Sequence, residues 1–242
     1  MMNISKDDSI GTIAASDLRT GIVFEKFGLD FCCNGNRSIE TACKEAQVDL
    51  NKVLSALKEI DPQGKPGVDY NTWPLDLLAD YIEKKHHRYV SAQIPAIEGL
   101  LEKINTVHGQ KHPELSEIKK LFSECAGELT MHMKKEELML FPFIKKMVQA
   151  SQLHTRQPSA PFGSVQNPIY TMLHEHNTEG ERFNTIRLLT SDYTVPPDGC
   201  NTYRTAYHAL KEFEEDLHLH IHLENNILFP KAIDLEKSFS YL

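Results

Sequence analysis

The chain has 242 residues, 40% of them hydrophobic and 25% charged, with a formal net charge of -8. That is ordinary globular material, with no dense Lys/Arg face of the kind nucleic acid requires. No stretch of about 18 uncharged apolar residues spans a membrane, and Met1-Met2-Asn3-Ile4-Ser5-Lys6 opens on no secretory core. With 5 cysteines, an odd number, the expectation is free thiols in the cytoplasm rather than a disulfide framework. Histidine is abundant, at 12.

Taken in chain order, residues 10–27 predict one or two short helices with a break at Thr20-Gly21. Cys32-Cys33-Asn34-Gly35-Asn36 predicts a turn, and residues 38–60 a helix with Ser38 as its N-cap. A Pro/Gly-rich stretch follows. This divides the chain into a small helical domain (1–61), a linker (62–72) and a larger domain (73–242). Four long amphipathic segments then begin near Pro74, Pro113, Ile169 and Asn201, the first carrying Pro95, a candidate kink. No β-alternating stretch is present. The expected fold is all-α, an antiparallel four-helix bundle behind a small helical domain.

The second and fourth segments contain an internal repeat. His132-Met133-Lys134-Lys135-Glu136-Glu137-Leu138-Met139-Leu140-Phe141-Pro142 and His220-Ile221-His222-Leu223-Glu224-Asn225-Asn226-Ile227-Leu228-Phe229-Pro230 both read H-x-x-x-E-x-x-x-L-F-P. Residues i and i+4 share a helix face, so each copy offers an imidazole and a carboxylate to one place. Leu129, Leu140, Leu217 and Leu228 lie on the same stripe, so that face is the core face. A buried Glu needs a partner or a cation, and two matched His/Glu pairs point to metal.

Depth along the bundle selects the other ligands. At about 1.5 Å per residue His132 lies about 28 Å from the start of its helix, and His87 sits at matching height on the antiparallel first helix. His86 is rotated by about 100° from it. The run Ile169, Met172, Leu173, His176, Phe183 favours His176 over His174. His218 and His222 fall on another face and read as surface, as do His112, His154 and His208. The set is His87, His132, Glu136, His176, His220 and Glu224. Four imidazoles and two carboxylates suit two iron ions, with an oxo or hydroxo bridge offsetting the remaining charge; zinc prefers closed tetrahedral sites and magnesium oxygen.

With these residues in place the sequence resembles the iron-sulfur cluster repair family, the ScdA/YtfE type. It has the hemerythrin-like ligand pattern and, in the small domain, Phe27-Gly28-Leu29-Asp30-Phe31-Cys32-Cys33 followed by Ala42-Cys43. The resemblance implies a cytoplasmic di-iron protein that restores clusters damaged by nitrosative or oxidative stress. Its implied partners are damaged or apo iron-sulfur proteins, NO or O2, and a reductant. The family pattern also places a histidine at His108, but that residue lies roughly 30 Å along the helix from His87 and is left out of the set. Three functions stay open: repair by iron supply or NO removal, an enzyme reducing NO to N2O, and an O2 or iron sensor or store. So does formation of a homodimer. Cys32 and Cys33 have two readings, small buried residues or a thiol pair exposed in a turn for redox or docking. Cys43 reads as core, and Cys125 and Cys200 have no assigned role.

Overall fold

The structure is a computed structural model that describes residues 4–61 and 67–239. It is helical, and among the described residues the only β pairing is an isolated bridge between Ser9 and Ser38. Residues 62–66 of the expected linker lie outside the described residues.

In the small domain, helix α1 (Ile10–Ser16) starts at Ser9, whose hydroxyl accepts from the Thr12 N–H. Asp17, extended at φ -155, ends α1 and caps α2 (Leu18–Lys26) by accepting from the Arg19 N–H. The break therefore falls at Asp17 and not at Thr20-Gly21. Gly21 lies inside α2, where an added Cβ would stand 2.9 Å from the Phe31 ring, so its smallness admits a neighbour rather than ending a helix. Ser38 caps α3 (Ile39–Glu45) as expected. The helix anticipated over 38–60 is two, because Gln47 adopts φ 56 and Asp49 caps α4 (Leu50–Lys58) afresh.

The bundle's first helix runs through α5 (Leu75–Tyr81), a π-helical turn (Ile82–His87) and α6 (Arg88–His108). Pro95 is carried inside α6 without ending it. The second runs through α7 (Glu114–Lys135), a π turn (Glu136–Leu140) and α8 (Phe141–Gln152). The third is α9 (Gln166–Leu189), and the fourth is α10 (Asn201–Leu223), a π turn (Glu224–Leu228) and α11 (Phe229–Ser238). Helix α6 packs against α7 and α10, and α7 against α9. No helix among the described residues is long and apolar enough to cross a membrane.

Two apolar clusters fill the bundle. One gathers Phe122, Phe183 and Phe213, with Phe213 edge-on to Phe122 at 5.3 Å and stacked on Phe183 at 5.7 Å. The other gathers Phe141, Ile144, Met172 and Phe229. Each such side chain contributes about 1.5–3 kcal/mol on burial, which offsets the cost of the polar layer held between the clusters. The small domain packs α1 against α10 and its π turn. Contact is close at Gly11 and Gly35, where an added Cβ would stand 2.2 and 2.6 Å from Asn226 Oδ1.

Candidate metal centre

Both copies of the repeat fold alike. The Phe141 N–H donates to the Glu136 carbonyl and the Phe229 N–H to the Glu224 carbonyl, five residues back instead of four. The proline after each phenylalanine explains this: it has no N–H, and its ring would collide with a carbonyl four residues earlier in a tight α-helix. Opening the turn by one residue relieves the clash and leaves the proline in the first turn of the next helix, where it costs little. Such turns concentrate at functional sites.

These turns, with the π turn of the first helix, bring all six selected residues together. They form two groups that share both carboxylates: His87, Glu136, His220 and Glu224, and His132, Glu136, His176 and Glu224, each group with its ligand atoms within 4.8 Å of one another and all of it buried. His176 Nε2 lies 3.0 Å from His132 Nε2 and 3.2 Å from Glu224 Oε2. His220 Nε2 lies 3.1 Å from Glu224 Oε1. Glu136 Oε2 stands 3.4 Å from the Nε2 atoms of both His87 and His132, yet neither approach has hydrogen-bond geometry, and both Glu136 oxygens lack a hydrogen-bond partner. Buried carboxylate oxygens without donors, ringed by imidazole nitrogens, are the arrangement a shared cation satisfies, and the donor set fits iron or another first-row metal.

The electrostatics agree. Burial pushes the Glu224 carboxyl up, but the His220 and His176 rings outweigh it and hold it well below its ordinary range. Burial draws His132 down, while Glu136, Glu175 and Glu224 lift it to about 10. Burial prevails at His220 and lowers it. The carboxylates thus draw protons onto His87 and His132, and a bound cation would take over that role and release them.

Three of the selected histidines are oriented through Nδ1, and these partners were not foreseen. His87 contacts Glu137 at 3.1 Å, His132 contacts Glu175 at 2.8 Å and His176 contacts Asn225 Oδ1 at 2.7 Å. Each lies beside a selected ligand in the chain, the only trace they leave in the sequence. His86 belongs to neither group, but it is fully buried, with Nδ1 3.0 Å from Asp216 and its ring stacked on His220 at 5.6 Å. His108 sits at the end of α6, 3.3 Å from Cys200 Sγ, outside both groups.

The expectation that His218 and His222 lie on the surface is corrected. His222 is fully buried, edge-on to Phe31 at 5.2 Å, and His218 pairs with Glu25 at 3.4 Å, because the small domain covers that face. The reading of the vicinal cysteines as exposed is corrected in the same way. Cys32 is 3% exposed and Cys33 half-buried. Cys33 Sγ donates to the His176 carbonyl at 3.4 Å, and the Cys32 carbonyl accepts from Asn225 at 3.0 Å. Asp30, Cys32 and Cys33 edge a cavity of about 340 Å³ between the small domain, α9 and α10. A second cavity, of about 300 Å³, lies between α7 and α9 and reaches His132 and His176 past Glu128, Glu175 and Glu179.

Residues 78–232 match the family model described as the hemerythrin HHE cation binding domain, and residues 6–61 match ScdA_N, described as a domain of unknown function (DUF542). The iron-sulfur cluster repair protein YtfE of Musicola paradisiaca is 33% identical over 228 residues, 94% of this chain and 97% of the relative. The proteins of the same name from Yersinia pestis (strain Pestoides F) and Yersinia pseudotuberculosis serotype O:1b are 31% identical over the same shares. The chain belongs to the YtfE-type iron-sulfur cluster repair family. Family membership gives the shared-carboxylate groups a cation-binding context, since both lie within the HHE domain's residues.

Proposed function

We propose that His87, His132, Glu136, His176, His220 and Glu224 hold two iron ions in the cytoplasmic protein, with Glu136 and Glu224 shared by both and an oxo or hydroxo bridge offsetting the remaining charge. The chain then serves the repair of iron-sulfur clusters damaged by nitrosative or oxidative stress, by supplying iron or removing NO. The observation that carries this reading is the pair of buried groups sharing two glutamates. The relatives named for cluster repair, matched over nearly their whole length, supply the direction.

An iron pair would supply electrons and open positions for a small ligand. The chain's own residues do the rest. Glu137, Glu175 and Asn225 fix the rings, the apolar clusters exclude bulk water, and the α7/α9 cavity opens onto His132 and His176. The cavity, together with a thiol lying against His176, favours a second reading in which two NO, two electrons and two protons give N2O and water, with damaged proteins benefiting indirectly.

The test is metal analysis of the purified protein joined to recovery of an NO-damaged iron-sulfur enzyme under one reductant. Two irons per chain and recovery support the reading; one metal per chain, or zinc alone, removes it. Sustained N2O formation separates the second reading from the first. Cys32→Ala with Cys33→Ala should leave two irons bound at saturating metal, because no proposed ligand lies in the small domain and the Cys32 carbonyl that receives Asn225 is kept, and should lower recovery.

A further inference from the structure

Among the oriented histidines, His176 differs from the other two. His87 and His132 meet carboxylates, which accept a hydrogen bond whichever way they are turned. His176 meets a neutral amide, which has one accepting end and one donating end, so the way the amide is turned decides which imidazole tautomer it can serve.

The other end of that amide fixes it. Asn225 Nδ2 donates to the Cys32 carbonyl at 3.0 Å, and a backbone carbonyl only accepts. Asn225 Oδ1 must therefore face His176, and His176 Nδ1 must carry the proton. That leaves the Nε2 lone pair directed at His132 Nε2 and Glu224 Oε2, 3.0 and 3.2 Å away. The same loop is fastened twice more, by Asn226 Nδ2 donating to the Phe31 carbonyl at 3.1 Å and by Cys33 Sγ donating to the His176 carbonyl. Residues 31–33 thus bind both α9 and the π turn after α10, and among the described residues no hydrogen bond joins them to His87 or His220.

We infer that Asn225 is a positioning residue that couples retention of an ion at the His132–His176 half to the seating of the Cys32–Cys33 loop. This rests on the reading of the two groups as metal sites. The loop carbonyl sets the amide, the amide sets the tautomer, and the tautomer presents Nε2. With the loop lifted, the amide is free to turn and offer Nδ2 instead, which moves the ring proton to Nε2 and blocks the ligating nitrogen. Coupling is reciprocal, so an ion at this half holds the loop down by the same factor that the seated loop tightens the ion.

The experiment uses the full chain, anaerobic Fe(II) alone as the metal, and iodoacetamide labelling of Cys33 located by peptide mass. In the wild type, loading with Fe(II) should slow Cys33 labelling roughly three- to tenfold, about what one hydrogen bond sets. Asn225→Asp keeps an acceptor for His176 but has no donor for Cys32; both Fe(II) should stay, while Cys33 labels fast with or without metal. Asn225→Ala loses both ends, and one of the two Fe(II) should bind about tenfold more weakly or worse. Equal Cys33 labelling of the metal-free and loaded wild type, with two Fe(II) bound, overturns the coupling, as does metal-dependent protection that survives in Asn225→Asp. A wild type that binds no Fe(II) pair is a different result, which overturns the metal-site reading and this inference with it.

Discussion

The two copies of H-x-x-x-E-x-x-x-L-F-P share a backbone device and differ in what they show to the outside. In both, a π turn begins at the glutamate and ends before Phe-Pro. In the second helix the residues between the glutamate and the repeated leucine are Glu137, Leu138 and Met139, and Leu138 and Met139 are 73% and 46% exposed. In the fourth they are Asn225, Asn226 and Ile227, with Ile227 buried at 1% and both asparagines bonded to the cysteine loop. The repeated positions build the candidate metal groups, and the unrepeated ones differ in what they contact. One copy closes on its neighbouring helix through Glu137 and His87, the other on a separate domain.

The hardest way to break this comparison is to remove what the copies share. Glu136→Leu and Glu224→Leu should each lower the iron content from two to near none by metal analysis, because each carboxylate belongs to both groups, whereas His108→Leu should leave it unchanged. Metal-free Glu136→Leu should melt below the metal-free wild type, since it removes one partner of a buried pair and leaves the His132 charge without compensation, a loss of about 3–5 kcal/mol. An equal or higher melting point would mean that the carboxylate and the rings are not charge-paired without metal.

A smaller effect separates the halves. Glu137→Ala should weaken one ion by about 10- to 100-fold, the usual consequence of removing the partner that orients a ligand histidine, and should leave Cys33 labelling as dependent on metal as in the wild type. Loss of that dependence would place both halves under the loop's influence. The smallest effect is an internal reference. Cys200, exposed at the far end of the bundle, is held down to about 7 by the His108 ring and by the backbone N–H groups of Tyr203 and Thr202. Its thiolate fraction, and so its labelling rate, should rise with pH to half its maximum near 7, with no change when metal is added. Buried Cys125 should stay unlabelled, because burial pushes its thiol well up.

The six converging residues were legible because their signal is periodic: a repeat, a shared stripe and a matched depth along antiparallel helices. The helix breaks at Asp17 and Gln47 were less so. Asp17 works through a local cap that competes with the more conspicuous Thr20-Gly21, and Gln47 adopts a left-handed conformation that its side chain does not advertise. His218 and His222 were misplaced for one reason. Amphipathic patterning describes a helix against its own bundle, and here a face that reads as polar is covered by another domain. Glu175 and Asn225 carry no periodicity at all, and their roles exist only once two helices and a loop have met.

The π turns also bear on inheritance. Each behaves as one extra codon between a glutamate and Phe-Pro, and both copies carry it at the same place. Deleting one residue between Glu136 and Phe141 would force an ordinary helical turn there and set the Pro142 ring against the carbonyl four residues earlier, at about 3 kcal/mol or more. Phe141, Ile144 and Met147, now fully buried, would keep the core face, so the cost falls on the turn itself and on the carboxylate that opens it. The length of this short segment is therefore a heritable trait as constrained as the identity of the ligands: substitutions at Leu138 or Met139 should pass, and a single-codon deletion there should not.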